Sequence, residues 1–207
     1  MYDFDVYQGA EQYATRDSAI GISGGAVMKM IRNVPEQRNH KIFADNFFSS
    51  ITLASRLRSK GIYYTGTIRN NRIPKDVNLK SEQQLKKESR VSFDYAVHDA
   101  KQVALVRWHD NHCVTLVSTL VGVEPVGEVR RFSQQQKRHI QISCPAVVSS
   151  YNRGMGGVDL CDSLCNLYRS KLWSKRWYLN IFFYPINLCC NNAWILCRRD
   201  CLSLIHI

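Results

Sequence analysis

The opening third of the chain predicts an α/β fold, because strand-like and helix-like stretches alternate there in the order strand, helix, strand, helix, strand. Two further observations agree. An acid, Asp45, closes the second of these strands, at the carboxyl end where ligands gather in such sheets. The chain is also long enough, at 207 residues with 45% hydrophobic and 11% aromatic content, for one good core or a core plus an insertion, which excludes disorder as its main state.

The elements follow in order. Met1 to Gly9 alternates Tyr2, Phe4 and Val6 against Asp3, Asp5 and Tyr7, as a strand does. Residues 10–23 read as a polar loop. Ala26, Val27, Met30 and Ile31 then form a short helical stripe that closes before Pro35. Lys41 to Asp45 is a buried strand, Ser49 or Ser50 caps a helix with Ile51, Ala54 and Leu57 on one face, and Gly61 stops it. Ile62 to Ile68 is again a strand. Asp45 reads equally as a ligand-binding acid or as a loop acid capping the helix that follows.

From Arg69 to about His139 the texture turns basic and polar. Val103 to Trp108 and Val114 to Ser118 flank His109-Asp-Asn-His112, which predicts a hairpin within a β-rich insertion. His109, His112 and Cys113 have the chemistry of zinc ligands, but no second ligand pair lies at zinc spacing and hairpin-tip histidines are usually solvated. Cys161 with Cys165, and Cys197 with Cys201, are four apart on helical stretches, where buried free cysteine is the commoner fate. No zinc is expected.

After Pro145 comes Tyr151-Asn-Arg-Gly-Met-Gly-Gly-Val-Asp159-Leu-Cys-Asp162. At about 100° per residue, Asp159, Asp162, Asn166 and Arg169 share one arc of a helix, and Leu160, Leu164, Leu167 and Tyr168 the opposite one. The bland explanation for such acids is that they complement the helix dipole. Further on, Trp173, Trp177, Ile181, Tyr184, Leu188 and Ile195 have the spacing of a core-packing helix that Pro185 should end or kink.

The balance of 28 Lys+Arg against 17 Asp+Glu gives +11, which points first to a polyanion such as nucleic acid, with a solvated face or a membrane-surface patch as the alternatives. Eight cysteines without C-x-x-C pairs do not resemble a disulfide framework, so a reducing compartment is expected. Asp3 and Asp5 stand where a secretory signal would be basic. Asn187, Asn191, Asn192 and Pro185 interrupt the apolar 181–197 segment, which favours a buried helix over a membrane span.

One acid beyond a sheet strand and another on a later helix, on a basic background, suit phosphoryl transfer on DNA. There two divalent metals, held by carboxylates, stabilise the attacking and the leaving oxygen. Four stretches then resemble the piggyBac transposase family: His40-Lys-Ile-Phe-Ala-Asp45-Asn-Phe-Phe-Ser-Ser, Thr65-Gly-Thr-Ile-Arg-Asn-Asn-Arg72, the motif ending at Asp162, and the Trp173 to Trp194 segment. The match runs from about Met1 to Trp194, and the glycine-glycine-Val-Asp stretch is its most specific part.

The resemblance implies a ribonuclease-H-like catalytic core of the retroviral-integrase type, cut-and-paste DNA transposition and a nuclear site of action. It implies three metal-binding aspartates. Asp45 matches the second and Asp159 the third, with Mg2+ or Mn2+ in a two-metal site, and Asp162 matches a further acid of the same helix. Arg69 and Arg72 match basic positions where DNA contact is expected; a TTAA target, transposon-end DNA and a homodimeric full-length form follow by the same likeness, and no membrane. By this reading residues 1–68 are the first part of a core incomplete at its N-terminus, 69–140 the basic β-rich insertion, 141–200 the helical remainder of the core and 201–207 a tail.

The family's first aspartate belongs upstream of Met1, and Asp3 and Asp5 do not replace it. The family's zinc-binding C-terminal domain has no counterpart in the cysteine spacing. The expectation is therefore a transposase-derived domain whose full-length ancestor cleaves and joins DNA and which is inactive in this form. The alternatives are a domesticated, non-catalytic DNA-binding or protein-interaction protein, and a partial reading frame with no stable fold of its own.

Overall fold

A computed structural model describes Gly9 and residues 19–88, 90–134, 136–168 and 175–205. Residues 1–8 of the strand expected at Met1 to Gly9, Trp173 and Arg169 lie outside the described residues. Two compact units, Asp5–Met155 and Gly156–Ile207, divide most of the chain, and each is described by itself.

The first described element of the first unit is α1 (Gly21–Met30), which starts inside the stretch expected to be loop and carries Ala26, Val27 and Met30 of the expected apolar stripe, with Ile31 as its C-cap. β1 (Lys41–Ala44), α2 (Ile51–Ser59) and β2 (Tyr63–Thr67) follow as the strand-helix-strand unit expected from the sequence. Of the two candidate caps, Ser50 is the one that closes the helix start, since its side chain accepts a hydrogen bond from the Leu53 amide at 3.1 Å. α2 closes before Gly61, whose φ of 71° is the left-handed conformation a glycine adopts without strain. Leu53 and Leu57 are fully buried from this helix, each contributing about 1.5–3 kcal/mol through apolar burial.

β1 and β2 run parallel, with Ala44 opposite Gly66. α3 (Glu82–Glu88) leads to β3 (Phe93–His98), β4 (Val103–His109) and β5 (Cys113–Ser118), and the hairpin expected around residues 109–112 joins β4 to β5. Within the stretch read as an insertion, β5 pairs antiparallel with β2, giving the five-stranded order β1-β2-β5-β4-β3. Period-two alternation then splits the core between the two faces of the sheet. Leu105 and Val117 join Leu53, Leu57, Ile62 and Tyr64 in one cluster. Val106 and Leu116 join Trp108, Ile142, Val147 and Val148 in the other.

β6 (Gly127–Ser133) and β7 (Arg138–Cys144) form a separate antiparallel ribbon, and α4 (Ala146–Gly154) ends this unit.

The second unit pairs α5 (Gly157–Tyr168) with α6 (Trp177–Ile205). Pro185 does not end α6, which continues through it; a missing N–H removes one ladder bond, and twenty residues of helix follow that can still satisfy their own. The apolar stripe expected to be core is covered only in part. Leu188 is buried, whereas Trp177, Ile181, Tyr184 and Ile195 are exposed, as are Leu160 and Leu167 of α5. The face of α5 turned inward carries Cys165, whose sulfur receives a hydrogen bond from Asn191 of α6 at 3.2 Å. A two-helix pair has one seam, and side chains off that seam stay in water. Among the described residues no helix is long and apolar enough to cross a membrane.

Candidate functional site

Asp45 stands immediately after β1, exposed at its carboxyl end. The parallel register that sets Ala44 against Gly66 carries Thr67 alongside Asp45, and the Thr67 hydroxyl donates to Asp45 Oδ1 at 3.2 Å. An open cavity of about 490 Å³ surrounds the carboxylate, lined among others by Asn46, Arg69, Thr115 and Tyr151, with Glu82 and Cys113 on its wall. Thr67 comes from β2, Glu82 from α3, Cys113 and Thr115 from β5 and Tyr151 from α4, so the site is assembled from elements far apart in the chain. Burial pushes the Tyr151 hydroxyl above its ordinary pKa, a hydrogen bond with Thr67 opposes that shift, and the nearby Asp45 charge adds to it.

Close packing beneath the cavity fixes the loop that carries Asp45. Ser49 is fully buried; its hydroxyl donates to the Asp45 carbonyl oxygen at 3.0 Å and meets Tyr64 Oη at 2.7 Å. Burial, partly opposed by the Ser49 hydrogen bond, pushes the Tyr64 pKa up to about 12. Gly66 lies against this pair, since a Cβ there would fall on Ser49 Oγ and stand 2.7 Å from the Ala44 carbonyl oxygen. Gly154, at the end of α4, is held to a bare hydrogen by the ring of Phe43, whose Cδ1 would be 2.5 Å from an added Cβ.

The two arginines expected to contact DNA sit beside the same loop. Arg69 is exposed and its Nε donates to Asn46 Oδ1 at 3.1 Å. Arg72 directs Nη1 at the carbonyl oxygens of Phe47 and Ser49, at 2.8 and 2.9 Å, and at that of Asn46 at 3.3 Å. Arg72 thus ties down the backbone following Asp45, which spacing alone does not reveal.

Asp159 and Asp162 occupy α5 of the second unit, and with Ser163 and Asn166 they line an open depression along that helix. Asp159 falls in the first turn, where a carboxylate complements the helix dipole. Asp162 accepts a hydrogen bond from Tyr184 Oη of α6 at 3.0 Å. Burial and that carboxylate raise the Tyr184 pKa. Among the described residues no three His, Cys, Asp or Glu side chains converge as a ready metal site. Asp45, with the hydroxyl and amide oxygens beside it, supplies oxygen donors of the kind magnesium prefers.

Sequence reasoning singles out Asp45 but passes over Thr67, Tyr151, Ser49 and Tyr64 as parts of its site. Thr67 is within reach of it, since Thr65 and Thr67 alternate along β2 with Gly66 between them. The partnership of Ser49 with Tyr64 spans 15 residues and carries no local signature.

The family model described as Transposase IS4 matches residues 1–194. The human PiggyBac transposable element-derived protein 2 is 36% identical over 187 residues, covering 89% of this chain and 31% of the relative. The human PiggyBac transposable element-derived protein 3 is 36% identical over 196 residues, covering 93% and 32%. The chain thus spans about a third of the length of these relatives. In fold it is similar to a piggyBac transposase solved by cryo-EM as a synaptic complex with hairpin DNA, with a TM-score of 0.66 at 22% identity over 91% of this chain and 37% of that one. This chain belongs to the piggyBac transposase family.

Proposed function

We propose that this chain is a transposase-derived, DNA-handling segment with a ribonuclease-H-like core, in which Asp45 and Asp159 are metal ligands and Asp162 assists on the same helix. The observation that carries the reading is the place of Asp45: at the carboxyl end of β1, in an open polar cavity, with one oxygen held by Thr67 and an arginine on the rim. Bound Mg2+ or Mn2+ would stabilise the attacking and leaving oxygens of a phosphodiester. The chain's own residues do the rest. Thr67, itself hydrogen-bonded to Tyr151, orients the Asp45 carboxylate, Ser49 and Arg72 hold its loop, and Arg69 offers a cation to a phosphate. Strand cleavage and joining, a TTAA target, a homodimer and nuclear action are proposed for the longer protein to which such a segment belongs.

The test is Mn2+ binding by the chain, followed by electron paramagnetic resonance. Asp45→Asn should weaken binding about tenfold or more, the loss typical even of an outer partner; equal affinity in both proteins would refute the assignment. A second reading, DNA binding without chemistry, is favoured by the net charge of +11. It requires salt-steep DNA binding that is indifferent to Asp159→Asn, and binding insensitive to salt would sink it.

A further inference from the structure

The β6–β7 ribbon presents a face that contributes nothing to the cavity at Asp45. Pleating alternates its side chains, and the register pairs Arg130 with Gln141 and Phe132 with His139. These four are exposed, whereas Val129, Ile140 and Ile142 face the core of the first unit. The two adjacent arginines of β6 have different fates. Arg131 Nε donates to Asp110 Oδ2 at 3.2 Å, on an acid that also receives Arg90 Nε at 2.7 Å. Among the described residues Arg130 and Lys137 have no carboxylate within ion-pair distance. Lys137 extends the charge to the turn, and the acid Glu128 shares this face at its other end, two residues from Arg130. Phe132 remains 53% exposed, edge to face with His139 at 5.4 Å.

We infer that this outward face binds double-helical DNA through its major groove, an inference that rests on the DNA-handling reading above. Two strands about 4.8 Å apart and about 24 Å long fit a groove about 12 Å wide, which admits a two-stranded ribbon. Arg130, Phe132 and Gln141 of this face have counterparts in such a groove. Arg130 and Lys137, with no ion pair among the described residues, meet phosphates; Gln141 beside them offers the amide that reads an adenine edge; the Phe132 ring matches a thymine methyl. An acidic protein surface would use the charges and leave Phe132 and Gln141 idle. Duplex RNA hides its major groove from side chains.

The experiment is fluorescence anisotropy of the whole 207-residue chain with a short mixed-sequence DNA duplex, the same sequence as duplex RNA, and polyglutamate, across a KCl series. The Arg130→Ala/Lys137→Ala variant should weaken DNA binding and reduce the log–log salt slope by about two, with an unchanged melt because both side chains project into solvent. Lys86→Ala/Lys87→Ala, on the exposed side of α3, should behave as the unaltered chain. Phe132→Ala should weaken DNA binding without changing the salt slope. Unchanged DNA binding in the ribbon variants would overturn the inference and leave the functional reading standing, whereas no DNA binding by the unaltered chain would overturn both. Polyglutamate or duplex RNA bound as tightly as DNA would overturn it in favour of an acidic protein or an RNA partner.

Discussion

Replacing Gly66 with alanine should displace the loop that carries Asp45. The added methyl would fall on Ser49 Oγ, 2.7 Å from the Ala44 carbonyl oxygen and 3.0 Å from Tyr64 Oη. Ordinary carbon–oxygen contacts lie more than half an ångström further out, and the Ala44 carbonyl is backbone within the sheet, so the strain cannot be relieved by a rotamer change. Overpacking of this kind costs about 1–3 kcal/mol. Dislodging the buried Ser49 hydroxyl from Tyr64 adds about 1–3 kcal/mol more. A net loss of about 3 kcal/mol corresponds to a fall in Tm of about 6–12 °C for a chain of this size. Thermal unfolding followed by circular dichroism measures it, with Gly122→Ala as the reference, because a Cβ at Gly122 has no neighbour within 4 Å. Gly122→Ala should be neutral or slightly stabilising. Equal melts for the two variants would refute the packing argument.

Three other outcomes are expected. Arg72→Ala removes the donor to three loop carbonyls and should destabilise the first unit by about 1–3 kcal/mol in urea unfolding; a variant of native stability that lost only DNA affinity would show that Arg72 serves phosphate instead. Gly154→Ala, pressed against Phe43, should cost about 1–2 kcal/mol although helix propensity alone favours alanine, and Phe43→Leu in the same chain should recover part of that loss. Tyr64, with its pKa raised from 10.0 to about 12, contributes stability that is complete below pH 10 and lost as pH rises towards 12. The unaltered chain should therefore lose stability with pH more steeply than Tyr64→Phe across that window, by up to about 1.4 kcal/mol per pH unit, and parallel curves would contradict the burial argument.

Local pattern makes part of this molecule legible. Alternation and turn residues mark β1, α2, β2 and the β4–β5 hairpin, because a strand's pleat and a helix's cap are written within a few residues. Asp45 is legible for the same reason, as an acid just past an apolar strand. The pairing of β5 with β2 is not: Thr65 meets Ser118 across 53 residues, and neither run states its partner. The choice between Ser49 and Ser50 as cap turns on Tyr64, again a distant contact. Arg72 reads as a surface cation because nothing local shows three carbonyls turned towards it. The stripe on α6 reads as core, yet an apolar stripe reports only which face seeks cover, and α5 covers the part around Leu188.

Whether Asp45 is a metal-binding carboxylate is tested most directly by a Mn2+ titration of the unaltered chain against Asp45→Asn. Electron paramagnetic resonance should show Mn2+ bound by the unaltered chain, an affinity at least about tenfold lower in Asp45→Asn, and the same melting temperature for both, since Asp45 is exposed. Superimposable titrations of two equally folded proteins would contradict it.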